Sequence, residues 1–265
     1  MNDKLNLKNH VLPKIGKIKL LALTAGDIQN IHLGLKNKPI MANRCLALIS
    51  KMLGLASKWG LREEAEQLCK HIDKYPEKKR ERFLSMTEIE RLFDTLNIAE
   101  SQETEAASSI LAIKLLLLSG CRLSEILELK WDWVDIANHR INFPDSKTGK
   151  KTIYISNQAI ELISSVDRSD GNPYVIKGLI PGTHLVNLHK PWYRISKLAD
   201  LEDVRLHDLR HSFASIGAAS GLSLPLIGAL LGHTQAQTTA RYAHLVGDSL
   251  KDAAGLIGER IKSVM

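Results

Sequence analysis

Between Asn43 and Trp59, apolar residues recur at Leu46, Ile49, Leu53 and Ala56, with Leu48, Met52 and Leu55 beside them and Gly60 just beyond. That spacing is the stripe of an amphipathic helix, and glycine is well suited to end one. Upstream, Thr24 stands before Asp27-Ile-Gln-Asn-Ile-His32 and predicts an N-capped helix. Downstream, Ser85 with Glu88 three residues later predicts a capping box. Ala106–Ser119 reads as a strongly apolar helix, and Gly120-Cys-Arg-Leu-Ser-Glu-Ile opens another after a break. The period then changes. Arg140-Ile-Asn-Phe and Thr152-Ile-Tyr-Ile are short β-type runs, and Asp145-Ser-Lys-Thr-Gly-Lys between them supplies turn chemistry, which predicts a hairpin. Helices resume at Asn157–Ser165 and through most of 188–262. The fold class is mainly α with a small antiparallel β-sheet.

The hydrophilic run Lys74-Tyr-Pro-Glu-Lys-Lys-Arg-Glu-Arg82 predicts a link between two units. The division expected is a helical unit over 1–76, a linker over 77–82 and an α+β unit over 83–265. In the tail, 248–265, Leu250, Ala253, Ala254, Ile257 and Ile261 form a narrow apolar stripe that suits docking on its own domain or on a neighbour. The 265 residues are 44% hydrophobic and 25% charged, the composition of a globular chain. The longest apolar stretches, Ile110–Leu118 and Leu222–Leu231, fall short of the roughly 18–20 residues of a membrane span, so no membrane partner is expected. The first residues lack the apolar core of a signal peptide, and Cys45, Cys69 and Cys121 are odd in number and widely spaced; together these read as a cytoplasmic chain without disulfides. The net charge of +7 is unevenly placed: residues 1–80 hold 16 Lys+Arg against 7 Asp+Glu, while the remainder is slightly acidic. A local basic excess suits a polyanion such as DNA, and equally a merely soluble surface.

The densest chemistry lies in His207-Asp-Leu-Arg-His-Ser-Phe-Ala-Ser-Ile-Gly. On a helix, Leu209, Phe213 and Ile216 fall on one side, the expected core side, and His207, Arg210, His211 and Ala214 on the other. His207 and His211 have the spacing of half a zinc site, but Asp208 stands where a metalloprotease has Glu, and Arg210 would put a cation beside the metal. His233 follows an apolar helix and a glycine, and Tyr242 comes nine residues later. Arg122 and Glu125 are three apart, a spacing at which a carboxylate can hold a guanidinium. Lys147 lies in the hairpin turn, with Lys150 and Lys151 close by.

Gly120-Cys-Arg-Leu-Ser-Glu, Lys147 in a hairpin, His207-Asp-Leu-Arg-His, Leu231-Gly-His and Arg241-Tyr-Ala-His occur in the order and at the separations of the tyrosine recombinase, or phage integrase, family, which the chain resembles over about 83–250. Residues 10–75, with Leu12-Pro-Lys-Ile-Gly and Leu23-Thr-Ala-Gly-Asp-Ile, more loosely resemble the helical core-binding domain of these proteins. The resemblance implies a site-specific recombinase working through a covalent 3'-phosphotyrosyl intermediate, with no cofactor, metal or ATP. It implies Tyr242 as nucleophile, Arg122 and Arg210 as phosphate clamps, His233 as a phosphate contact, Lys147 as donor to the leaving oxygen and His207 as proton acceptor. It further implies double-stranded DNA as partner, with a homotetramer on DNA and a monomer in free solution. A nicking-closing enzyme, and an integrase remnant that only binds DNA, remain the alternatives. The first motif begins about ten residues from Met1, so the arm-binding domain of many phage integrases is expected to be absent.

Overall fold

The computed structural model describes residues 3–77, 80–144, 149–245 and 247–263. The chain forms two units, Met1–Arg80 and Glu81–Met265.

In the first unit, α1 (Asp3–Asn6), a π turn (Leu7–Val11) and α2 (Leu12–Ile15) run on from one another. α3 (Ala25–Gly34) is capped by Thr24, whose hydroxyl accepts from the Asp27 N–H while the Asp27 carboxylate accepts from the Thr24 N–H. α4 (Pro39–Lys58) begins four residues before Asn43, where the predicted stretch starts, with Pro39 in the first turn, where no N–H is needed. It is long enough, with a mean hydropathy of 1.2, to meet the length and composition of a span. Yet it is the central helix of this unit, burying Cys45, Leu46, Ile49, Leu53 and Ala56 against Val11, Ile28 and Ile31. Trp59, the C-cap of α4, is 67% exposed.

The hydrophilic run is packed at its start. Tyr75 stacks on His32, ring centroids 4.3 Å apart and nearly parallel. Asn43 accepts from the Tyr75 N–H (2.9 Å) and donates to the Tyr75 carbonyl and Glu77 (both 2.8 Å). The sequence shows the polarity of this stretch but not the buried Asn43 and His32 that receive it.

The second unit opens with α5 (Met86–Ser101), capped reciprocally by Ser85 and Glu88. α6 (Ala107–Ser119) is buried on nearly every side and runs to Gly120, followed by the short α7 (Leu123–Leu127). Three antiparallel strands follow in the order β1 (Val134–Asp135), β2 (Arg140–Phe143) and β3 (Lys151–Tyr154). Ile141 faces Ile153, and both are buried while Asn142 and Thr152 are exposed, the alternation of a sheet with one wet face. Then come α8 (Asn157–Ser164), α9 (His189–Leu198), α10 (Leu206–Ala219), α11 (Leu224–Leu231), α12 (Ala236–Thr239), a 3-10 turn (Ala240–Leu245) and α13 (Gly247–Lys262).

α10 organises the site because it is buried on two sides. Leu209 enters the main core with Leu92, Ile113, Ile126 and Ile195. Ala214 and Ala218, on the side expected to be free, enter a second core with Ile227, Leu231 and Tyr242. Ile216, expected inside, is 37% exposed. The stripe is misread because alanines mark a close helix contact as surely as leucines mark a wide one, and α11 and the 3-10 turn lie over them.

Candidate active site

Arg210 is 4% exposed, and its guanidinium is held by two backbone carbonyls: Nη1 donates to the Gly120 oxygen at 2.6 Å and Nη2 to the Leu231 oxygen at 2.9 Å. Gly120 is the C-cap of α6, and Leu231 ends α11. Helix C-termini carry unpaired carbonyls and the negative end of the helix dipole, so both favour a cation there. Gly120 is fixed by this geometry. Its φ is +62°, and a Cβ would lie 2.6 Å from Phe213 and 2.9 Å from Leu231.

Arg122 precedes α7, and its N–H donates to Glu125 Oε2 at 2.9 Å. Its Nη1 reaches Oε1 of the same carboxylate at 2.8 Å, so the three-residue spacing does hold the guanidinium. Lys151 Nζ binds that same oxygen at 2.5 Å and lies 5.0 Å from the Phe143 ring. Both Lys151 and Glu125 are buried. Burial pushes the Glu125 carboxyl up, and the bonds from Lys151 and Arg122 outweigh it, so the group is held below the usual carboxylate range. Lys151 is lowered by its burial, against the pull of Glu125. Lys147 lies outside the described residues.

His233 follows Gly232, which ends α11 with φ of +65°. The His233 N–H donates to the Gly228 carbonyl at 2.8 Å, and its Nδ1 is 2.8 Å from the Thr239 hydroxyl. This fixes the ring from below. Burial, then the charges of Arg210 and Arg122, push its pKa down to about 4. His207 sits at the exposed start of α10, lowered by partial desolvation and by Arg210 and Arg122. Tyr242 is 5% exposed in the 3-10 turn. Burial raises its phenol against the opposing charges of Arg241 and Arg210, so it is un-ionised at neutral pH.

Arg122, His207, Arg210, His233 and Tyr242 are thus within one electrostatic neighbourhood, and the structure brings together all the expected site residues that it describes. Its charges are those of an anion site: Arg122, Arg210, Lys151 and Arg241 outnumber the carboxylates of Glu125 and Asp208, and the histidines are neutral. Sequence reasoning passed over Lys151, Thr239 and His211. His211 Nδ1 is 2.6 Å from the Tyr242 hydroxyl, and its pKa is pushed down to about 4 by burial, Arg241 and His207. Among the described residues, no group of three or more His, Cys, Asp or Glu is placed to hold a metal ion.

The two depressed histidines predict a pH response of stability. His211 and His233 titrate near 6.5 when unfolded and near 4 when folded. Between these values the unfolded chain binds more protons, so stability is full above about pH 6.5 and declines as pH falls towards 4. The thermal midpoint should drop by several degrees, on the order of 5 °C, between pH 7 and 4.5, and by less in His233→Ala relative to its own value at pH 7. A midpoint that is flat or rises on acidification would contradict the neutral state of both rings.

The chain is similar to known proteins in sequence and in fold. The sequence profile of the phage integrase family matches residues 82–247. The integrase of Salmonella phage P22 is 26% identical over 241 residues, covering 83% of this chain and 60% of that protein. Tyrosine recombinase XerA of Saccharolobus solfataricus is 30% identical over 147 residues, covering 54% of this chain and 47% of that one. The chain therefore spans about half to three fifths of the length of these relatives. In fold, it resembles the Tn1549 transposon integrase in complex with transposon right end DNA, with a TM-score of 0.71 at 17% identity over 96% of this chain and 94% of the other. It also resembles a lambda integrase dimer bound to a COC' core site, with a TM-score of 0.66 at 18% identity over 91% and 72% of the two chains. With the family's motif residues gathered around one buried tyrosine, and with a profile match over more than half its length, this chain belongs to the phage integrase family.

Proposed function

We propose that the protein is a site-specific DNA recombinase that cleaves and rejoins strands through a 3'-phosphotyrosyl bond at Tyr242, without ATP or a metal ion. The observation that carries this reading is the pair of fixed positive donors, Arg122 and Arg210, within each other's electrostatic reach, with Arg210 in turn acting on the buried hydroxyl of Tyr242. The Tyr242 oxygen attacks phosphorus, and the bond to the 5' oxygen of the next nucleotide breaks. The crowded phosphorane carries extra negative charge on its equatorial oxygens. Two guanidinium forks, already held by Glu125 and by helix-end carbonyls, meet that charge without reorganising. His207 and His233, which share the field of Arg122 and Arg210, are proposed to donate to the same oxygens, and Lys147 to give the departing oxygen its proton. The tyrosyl phosphodiester conserves the energy of the broken bond, so rejoining needs no nucleotide.

The basic first unit, Met1–Arg80, suits a core-binding role, since all the excess positive charge of the chain is in it. Assembly is proposed to be a homotetramer on two duplexes, with a monomer in free solution. In α13, Ile257 and Ile261 are 59% and 55% exposed, so these two positions of the tail stripe are not covered by the tail's own chain. A neighbouring copy's apolar groove beside Phe93, Phe213 and Ile216, about 430 Å³, is a fitting place for them. Such a small contact would not hold copies together without DNA to concentrate them.

The test is capture on a nicked duplex carrying a candidate attachment site, sought as a direct repeat in the DNA that flanks the gene. In EDTA and without ATP, wild-type protein should accumulate as a denaturant-resistant DNA adduct. It should also exchange strands when two duplexes are supplied. No adduct would point to a protein that only binds DNA; an adduct without exchange would point to a nicking-closing enzyme.

A further inference from the structure

The Tyr242 hydroxyl is bonded to a histidine, and it is not the one that the family pattern marks. His211 Nδ1 lies 2.6 Å from Oη, a short contact for an O–H···N bond. His207, one turn earlier on α10, turns its ring edge-on to His211, centroids 4.9 Å apart, and is itself at the exposed helix start. Resting on the proposed chemistry at Tyr242, we propose that His211 holds and aims the nucleophile and takes its proton as the oxygen–phosphorus bond forms, leaving His207 to face the phosphate.

The direction of the hydrogen bond follows from acidity. A phenol is a stronger acid than a neutral imidazole, so Oη–H donates and Nδ1 accepts. This uses the hydrogen and leaves the oxygen lone pairs turned away from His211, available for attack. His211 is reached from its own helix by His207, Asp208 and Arg210, and across a small cavity by Glu81, Arg241 and His244. Burial first, and then the charge of Arg241, keep its ring neutral in the free protein, so the proton stays on the phenol until a phosphate arrives. The transfer is then coupled to bond formation. The Oη–P bond forms, and the P–O bond to the 5' oxygen breaks. The phenolic proton passes to His211 Nδ1, and the 5' oxygen takes a separate proton from Lys147. Rejoining reverses each transfer, and the site returns to its starting state.

His211→Ala should cleave a nicked half-site on the order of 10²-fold more slowly than wild type at neutral pH, with unchanged half-site affinity. The deficit should shrink as pH rises, because hydroxide then supplies phenolate without an acceptor. A substrate with sulfur in place of the 5' bridging oxygen tells this defect from one in the leaving group, since a thiolate departs without a proton. It should restore Lys147→Ala and fail to restore His211→Ala. His211→Asn keeps an acceptor near the Nδ1 position but cannot take up a proton, and should remain slow. Cleavage by His211→Ala within about threefold of wild type, rescue of it by sulfur, or wild-type rates in His211→Asn would each overturn the assignment. Failure of the wild-type protein itself to form an adduct would instead defeat the proposed function, whatever the His211 variants do.

Discussion

Tyr242→Phe should bind its DNA site as wild type does, within roughly threefold, and form no covalent adduct at all. The affinity should survive because the ring, not the hydroxyl, is what packs with Ala214, Ala218, Ile227 and Leu231. Removing the oxygen leaves His211 without its partner at a half-buried position, a cost of about 1–2 kcal/mol that a folded domain can absorb. Chemistry should vanish because, among the described residues, no other tyrosine hydroxyl is placed with Arg210 and His211. The other tyrosines are Tyr75, Tyr154, Tyr174 and Tyr193. Tyr75 is stacked on His32 in the first unit, Tyr154 and Tyr193 are on the surface, and Tyr174 packs against His184. The measurement is mass spectrometry of the DNA-linked peptide from wild type, with the variant run in parallel. A linked peptide containing any of these four, or an adduct formed by Tyr242→Phe, would remove Tyr242 from the nucleophile's place.

Much of this site was legible because its pieces are local. The N-cap at Thr24 and the capping box at Ser85 need only residues three apart; both form, and Asp27 completes a box at Thr24 as well. The hairpin needs a change of period and a turn, and Arg140–Phe143 pairs with Lys151–Tyr154. Arg122 with Glu125 is likewise a three-residue relation within one turn. What escaped is what depends on contacts between distant segments. β1 is two residues long, too short to show any period, and exists only because Val134 pairs with Ile141. Arg210 is written on what looked like the polar face of α10, but α11 and Gly120 cover it. His211 stood on the expected non-core face of α10 with no partner marked, because that partner is 31 positions away and is brought to it by a 3-10 turn. Lys151 was one of three lysines around a turn, and only its pairing with the buried Glu125 sets it apart. Local pattern places a residue on an element; it cannot say what the next element lays over it.

Arg210→Lys should slow cleavage by at least ~10²-fold, even though the charge is kept. The reason lies in how Arg210 is held. Two of its five N–H groups are committed to the Gly120 and Leu231 carbonyls, at the ends of two different helices. Those bonds set the plane of the guanidinium and leave three N–H groups of fixed direction for a phosphate. A lysine has a shorter, single-point head. If it moves to the phosphate, one or both carbonyls lose their buried donor; if it stays with them, the phosphate loses its fork. Either way the transition state loses a charge-assisted pair, and loss of one such stabilising donor costs about 3–4 kcal/mol of barrier. The same substitution should lower folding stability by about 1–3 kcal/mol, since the lost helix-end bonds belong to the folded protein whether or not DNA is present. Two measurements separate these effects. Denaturant unfolding of the free protein reports the helix-end bonds. Single-turnover cleavage on pre-bound DNA, at a temperature where the variant is fully folded, reports the clamp. A variant that loses stability yet cleaves at wild-type rate would make Arg210 a strut between α6 and α11, with the phosphate held elsewhere.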